Sequence, residues 1–255
     1  SVRESGLYIA DLANQDLTYE KKHELNVGFE AGFIDNRINL VFDWYKRNNY
    51  DLIGVISTQG VGGEMQKFGN IASMKSDGFE ISLSTVNVKT RDFRWETNLI
   101  YSHARNKVTD LQTVERVIDL VSGNGFAQEG YPVRSIFSIP FMGLNEEGLP
   151  TFRDQEGNIS VNGINFQEST PEKLKFLEYS GSADPTDVGS LGNIFKWKNF
   201  RLNVFITYSF GNVIRLDPVF SNAYNDLTSM PKEFADRWMV PGDEAKTDIP
   251  VIAST

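Results

Sequence analysis

The stretch ELNVGFEAGFIDNRINLVFDW, residues 24–44, alternates apolar and polar side chains with a period of two. That period marks a strand whose two faces meet different surroundings. Leu25, Val27, Phe29, Ala31 and Phe33 share one face, and Glu24, Asn26, Gly28, Glu30 and Gly32 share the other. Asp35-Asn36 then tolerates the positive φ of a tight turn. Ile38, Leu40, Phe42 and Trp44 follow on one face, with Asn39, Asp43 and Tyr45 opposite and Val41 as the exception. If Asp35 and Asn36 are the loop, every cross-strand pair sums to 71, and both apolar sets fall on one side. A one-residue slip would put them on opposite sides. Turn chemistry and face parity therefore predict the same register.

Outward from this hairpin the pattern repeats. Lys198-Asn199 predicts a second hairpin whose pairs sum to 397. Leu202, Val204, Ile206, Tyr208 and Phe210 lie on one face, and Arg201, Asn203, Thr207 and Ser209 on the other, which Phe205 interrupts. A third pair is expected from 79–88 and 93–105, turning at Thr90-Arg91-Asp92 through an odd number of residues if the faces are to match. Further strands are expected near 50–58, 67–75, 133–143, 149–153 and 187–195, and helix only at 171–179 and 231–238. Short turns on one side contrast with long Gly/Asn/Asp/Glu-rich loops at 54–66, 106–130, 154–186 and 212–250.

The remaining bounds come from composition. The chain has 255 residues and a formal net charge of −9. This acidic balance argues against a nucleic-acid partner. Cysteine is absent, so disulfides, Cys-ligated metals and thiol nucleophiles are excluded. No apolar run is long enough for a transmembrane helix, but a closed β-barrel can also span a bilayer. The chain opens on Ser1-Val2-Arg3 without Met or a signal-type apolar run, and we read it as part of a longer precursor.

Alternating strands admit two readings. The apolar face is either the core of a soluble, secreted β-sandwich, such as a carbohydrate-binding module, or the lipid face of a barrel whose polar face lines a watery lumen. Three features favour lipid. The apolar face carries Phe, Leu, Ile and Trp throughout, with aromatics near strand ends. Glu30, Glu80, Arg94 and Glu96 sit mid-strand on the opposite face. The strands reach the length of about ten residues that a tilted span needs.

Several segments carry a resemblance. They are Leu17-Thr18-Tyr19-Glu20-Lys21 before residues 24–38, the run 69–80 (Gly69-Asn70-Ile71 to Gly78-Phe79-Glu80), and Glu129-Gly130-Tyr131-Pro132-Val133. They continue with Phe141-Met142-Gly143-Leu144, Trp197-Lys198-Asn199-Phe200-Arg201-Leu202, Tyr208-Ser209-Phe210-Gly211-Asn212, Arg237-Trp238 and Pro241-Gly242-Asp243-Glu244. In this order they resemble the C-terminal part of the β-barrel of SusC/RagA-type TonB-dependent outer-membrane transporters. The resemblance covers most of the chain.

It implies that residues 1–255 belong to one all-β, antiparallel transmembrane barrel of about 22 strands, with short periplasmic turns and long extracellular loops. The plug domain, the N-terminal barrel half and the last strand would lie outside this chain. It further implies an importer of oligosaccharides or peptides in the outer membrane of a Gram-negative bacterium. Such an importer works with a SusD-like surface lipoprotein and draws energy from the TonB complex through the missing N-terminal region. The short run from Asp184-Pro185 to Leu191-Gly192-Asn193 departs from the family and points to residues missing near 189–191.

No catalytic residues, metal or cofactor are expected. His23 and His103 are the only histidines, and neither sits in a nucleophile or zinc motif. Asp154-Gln155-Glu156-Gly157-Asn158 lacks the alternating ligands of a calcium loop. Gly60-Val61-Gly62-Gly63 lacks the Lys of a phosphate loop. For cargo, rings exposed on long loops are the candidates, because flat apolar surfaces stack on sugars and pack on peptides. These are Phe152, Phe166, Tyr179, Tyr224 and Trp238. The other reading of the same rings is packing of loop on loop or on the lipoprotein.

Overall fold

The structure is a computed structural model, and it describes residues 14–57, 66–123, 125–219 and 229–251. In chain order these form strands β1 (Lys21–Phe33), β2 (Ile38–Ser57), β3 (Gln66–Lys89) and β4 (Phe93–Leu111), then helix α1 (Val117–Val121). Strands β5 (Ser135–Ser138), β6 (Phe141–Leu144), β7 (Pro150–Arg153) and β8 (Ile159–Ser160) come next, then helix α2 (Pro171–Leu174). Strand β9 (Glu178–Ser182) precedes β10 (Asp187–Trp197) and β11 (Phe200–Phe210). Tyr224 and Gly60-Val61-Gly62-Gly63 lie outside the described residues. Among the described residues no helix is long and apolar enough to cross a membrane.

Two compact units result. The first is an open, antiparallel six-stranded sheet of order β1-β2-β3-β4-β10-β11. Its β1–β2 pairs run from Lys21↔Tyr50 to Phe33↔Ile38, all summing to 71 as expected. Asp35 and Asn36 take φ of 52° and 60°, the left-handed values a type I′ turn requires. In the second hairpin Lys198 also takes positive φ, and Trp197 stacks on Phe200 at 6.2 Å. A side chain at Gly192 would meet the Phe205 ring, and one at Gly189 the Tyr208 ring. Both pairs obey the expected sum of 397.

These glycines explain a misfit in the pattern. Phe205, on the polar face, lies over Gly192, and Tyr45, also on that face, lies over its register partner Gly78. A glycine opposite an aromatic lets the ring lie flat across the neighbouring strand, which fixes register without adding bulk.

Parity in the third hairpin is reached differently from expectation. Pairs next to the turn, Lys89↔Arg94 and Val88↔Trp95, leave an even number of residues in the turn. A bulge at Asn87 then brings Phe79, Ile81 and Leu83 opposite His103, Tyr101 and Leu99. The bulge is held from the β1–β2 turn: the Arg37 guanidinium donates to the carbonyls of Val86 (3.0 Å) and Asn87 (3.1 Å). Strand β10 pairs with β4 from Asp187↔His103 to Trp197↔Phe93 without a register shift, so the gap expected near 189–191 leaves no break in the ladder.

Apolar side chains from all six strands share one face of the sheet. Leu25 is 57% exposed and Ile206 58%; a sandwich would bury both. The expectation that this face is apolar throughout needs one correction. Thr85, Asn87, Thr97, Asn193 and Trp95 form a hydrogen-bonded ladder on it. The Asn193 side-chain oxygen accepts from Trp95 Nε1 (3.0 Å) and Thr97 Oγ1 (2.8 Å). Polar side chains set on an otherwise apolar face satisfy one another in this way.

Strands β2, β3 and β4 hold 20, 24 and 19 residues, well beyond the 9–11 or so that a tilted span needs. The segments expected near 50–58 and 67–75 are thus the far ends of β2 and β3 rather than separate strands. All three short turns fall at one end of the sheet, and β4 leaves it at the other.

The second unit comprises residues 114–128, 133–185 and 210–255. Much of what looked like open loop is folded here around its own core. Val117 and Leu120 are 0% and 2% exposed, packed with buried Phe137 and Leu174. Strand β5 pairs with β9, and β6-β7-β8 form a meander. The helix expected over 171–179 stops at Leu174. The one expected over 231–238 is a single 3-10 turn, Lys232–Asp236.

Candidate functional site

In the sheet, the polar face is a network of paired charges and amides. Arg47 Nε reaches Glu24 at 3.0 Å, and its guanidinium stacks 4.1 Å over the buried Tyr45 ring. Glu96 is shared by Arg94 and Lys196. Ser84 Oγ donates to Asn98 Oδ1 at 2.9 Å. These groups come from alternate residues on strands β1 to β10, so the pleat places them on one side while the intervening apolar residues take the other.

On the apolar side, Phe29, Phe42 and Phe79 stack in turn at 5.6 and 6.2 Å, and Tyr101 and His103 both pack on Phe79. His103 Nδ1 lies 2.8 Å from Asp187 Oδ1, which also accepts from Tyr101 Oη. Thr186 Oγ1 donates to the other oxygen at 2.6 Å. His23 meets the Tyr50 ring edge-on at 5.4 Å. The partners of both histidines are thus ring and carboxylate groups at the margin of the apolar face.

In the second unit, the candidate rings are seated separately. Phe152 pairs with Phe141 across β6–β7, centroids 5.9 Å apart. Tyr179 packs on Phe137 at 5.7 Å and keeps 42% of its surface exposed. Phe166 is 43% exposed, while its carbonyl accepts the Ile118 N–H at 3.0 Å. Trp238 lies over Gly148, and its indole N–H donates to Glu244 Oε2 at 3.0 Å.

The loop 154–158 shows why it is acidic. The buried Asp154 carboxylate accepts the backbone N–H of Glu156 (3.0 Å) and Asn158 (2.8 Å). Burial pushes this carboxyl up, but those N–H donors and the Asn158 amide outweigh it and hold it below the ordinary range. The same geometry occurs nine residues earlier. Asn145 Oδ1 accepts from Glu147 (3.2 Å) and Leu149 (2.8 Å). Gly148 and Gly157, both at positive φ, each donate their N–H to the carbonyl of the Asx residue that opens the loop. Sequence reading missed this repeat, Asn145-Glu146-Glu147-Gly148-Leu149 and Asp154-Gln155-Glu156-Gly157-Asn158, although it is written in consecutive turns. Among the described residues no group of three His, Cys, Asp or Glu is placed to hold a metal.

Helix α1 was also missed. Its five residues are too short for a periodic signal, and its start is fixed by a charged pair. The Arg116 guanidinium grips Asp119 at 2.9 Å, and the Asp119 carboxylate accepts the Arg116 N–H in return. The backbone of Val117 and Ile118 is sewn to the carbonyls of Glu168 and Phe166. The Thr170 hydroxyl, then the N–H groups of Thr170 and Ser169, and nearby Lys173 pull the Glu168 carboxyl down to about 2.

Comparisons with known proteins bear on this architecture. No protein-family model matches the chain. TonB-dependent receptor P3 of Formosa agariphila is 26% identical over 230 residues, 82% of this chain and 22% of its own length. TonB-dependent receptor SusC of Bacteroides thetaiotaomicron is 26% identical over 231 residues, 85% of this chain and 22% of its own. A solved structure of the RagAB peptide transporter superposes with a TM-score of 0.74 at 22% identity, covering 98% of this chain and 28% of that one.

The chain thus shares the fold of part of the RagAB structure. Over most of its length the chain is similar to SusC/RagA-type TonB-dependent transporters. It spans about a quarter of the length of these relatives.

Proposed function

We propose that this chain supplies part of the barrel wall and the extracellular loops of an outer-membrane importer. In this reading it is the C-terminal part of a barrel of about 22 strands. The carrying observation is the six-stranded sheet with large apolar side chains along one face, exposed on β1 and β11, and paired charges on the other. Lipid on the first face and water on the second satisfy both. The short turns then belong to the periplasmic end and the long loops to the extracellular side.

The cargo class is oligosaccharide or peptide, and the likeness to the RagAB peptide transporter supports the second. A SusD-like lipoprotein would cover the outer face, and the TonB complex would act through the N-terminal region of the whole protein. Among the candidate rings, Phe166 and Tyr179 offer the open flat surfaces a cargo needs. Phe152, Trp238 and Tyr224 are the further candidates.

Uptake by the full-length transporter, measured in cells with labelled oligosaccharides and with labelled peptides, tests this reading. Phe166→Ala and Tyr179→Ala should each weaken uptake of one class several-fold while barrel assembly is unchanged. Unaltered uptake of both classes would remove these rings from the cargo path.

A further inference from the structure

The outward face of the sheet changes character at the row Trp44–Phe79–His103–Asp187. From this row to the row of Phe93 and Trp197 at the turn end is ten residues along β4. At about 3.3 Å per residue and a tilt of about 40°, that is an apolar band of about 25 Å, the height of the lipid-facing band of such barrels. The next two outward rows, away from the turns, are basic. Lys46, Asp77 and Arg105 share the first, and Lys75 and Lys107 stand directly opposite each other in the second. All four cations are exposed.

Arg105 reaches Asp77 at 3.3 Å. Among the described residues Lys46, Lys75 and Lys107 have no carboxylate within ion-pair distance. Asp187, in the boundary row, is taken up by Tyr101, His103 and Thr186. Four cations thus face one available carboxylate, in a chain whose net charge is −9. Like charges directly opposed across strands repel, so an anion between Lys75 and Lys107 would relieve the pair.

We propose that this patch binds the phosphorylated headgroups of outer-leaflet lipid. The apolar band adjoins the patch, so one ligand carrying acyl chains and phosphate would engage both surfaces, which free phosphate cannot do. The proposal rests on the reading above, that the apolar face meets hydrocarbon and the long-loop end faces outward.

Native mass spectrometry of the full-length transporter with bis-phosphorylated lipid A tests it. Lys46→Gln, Lys75→Gln and Lys107→Gln combined should weaken binding on the order of tenfold or more. The corresponding Lys→Arg triple should retain it, and dephosphorylated lipid A should bind the native protein weakly. Equal binding by the Gln triple, equal binding of dephosphorylated lipid A, or full competition by inorganic phosphate would each overturn the proposal. A nitroxide on Val204→Cys separates the two levels. Relaxation by lipid-dissolved oxygen there keeps the face reading, so failure with lipid A sinks only the phosphate assignment. Relaxation by a water-soluble nickel chelate would sink both.

Discussion

The two units of this chain obey opposite rules of burial. The loop unit hides Val117, Leu120, Phe137 and Leu174 together, as any water-soluble fold does. The sheet leaves Leu25, Val27, Phe29, Leu202 and Ile206 uncovered and keeps Glu96, Arg47 and Asn98 in contact with partners on the other side. The same residue types are used in both. What differs is the solvent each surface is built for. In the loop unit water drives the apolar groups together; in the proposed reading a hydrocarbon surround makes the apolar face of the sheet the stable one.

Substitutions sharpen the contrast. In the loop unit, truncation is the damaging change. Leu120→Ala should cost about 2–5 kcal/mol, seen as faster proteolysis of residues 114–185 in the detergent-solubilised transporter. In the sheet, charge is the damaging change. Leu83→Arg, near the middle of the apolar band, should cost about 2–4 kcal/mol in refolding into bilayers, whereas Ser84→Arg on the opposite face should cost little. Equal penalties at 83 and 84 would erase the distinction between faces.

Asn193→Ala should come next, at about 1–3 kcal/mol, because it leaves Trp95 Nε1 and Thr97 Oγ1 without their acceptor. Refolding midpoints in urea would measure it. At the twin hairpins, Gly148→Ala and Gly157→Ala each force a side chain into positive φ, at about 1–2 kcal/mol. Gly148→Ala also displaces the Trp238 ring, so it alone should shift tryptophan emission.

The smallest effect concerns acid. The Glu168 carboxyl sits near 2 in the folded chain against an ordinary 4.5. A depressed folded value stabilises the fold above the ordinary value and is lost as pH falls from about 4.5 towards 2. Glu168→Gln should therefore flatten the acid unfolding of the loop unit in that window, followed by protease sensitivity against pH.

How much of this was legible depended on whether a signal was local. The register at Asp35-Asn36 was readable because turn chemistry and face parity sit within one stretch. The bulge at Asn87 was not, because Arg37, in the turn of another hairpin, holds it. The ladder through Asn193 joins residues about a hundred positions apart, and no window along the chain contains it. The Asx repeat at 145–149 and 154–158 was in plain view, but the second copy was weighed as a metal loop rather than compared with its neighbour. The candidate cargo rings rest on residue type and position alone. Their partners, Phe141, Phe137 and Gly148, come from elements that only the fold brings together.

The central claim is that one face of the sheet meets hydrocarbon and the other meets water. Single nitroxide labels at each position from Lys22 to Phe33 of β1, in the full-length transporter reconstituted into bilayers, test it most directly. Oxygen accessibility should peak at Val27, Phe29, Ala31 and Phe33, and nickel-chelate accessibility at the residues between them. Protection of the odd positions from both reagents would place those side chains inside a packed protein core and contradict the claim.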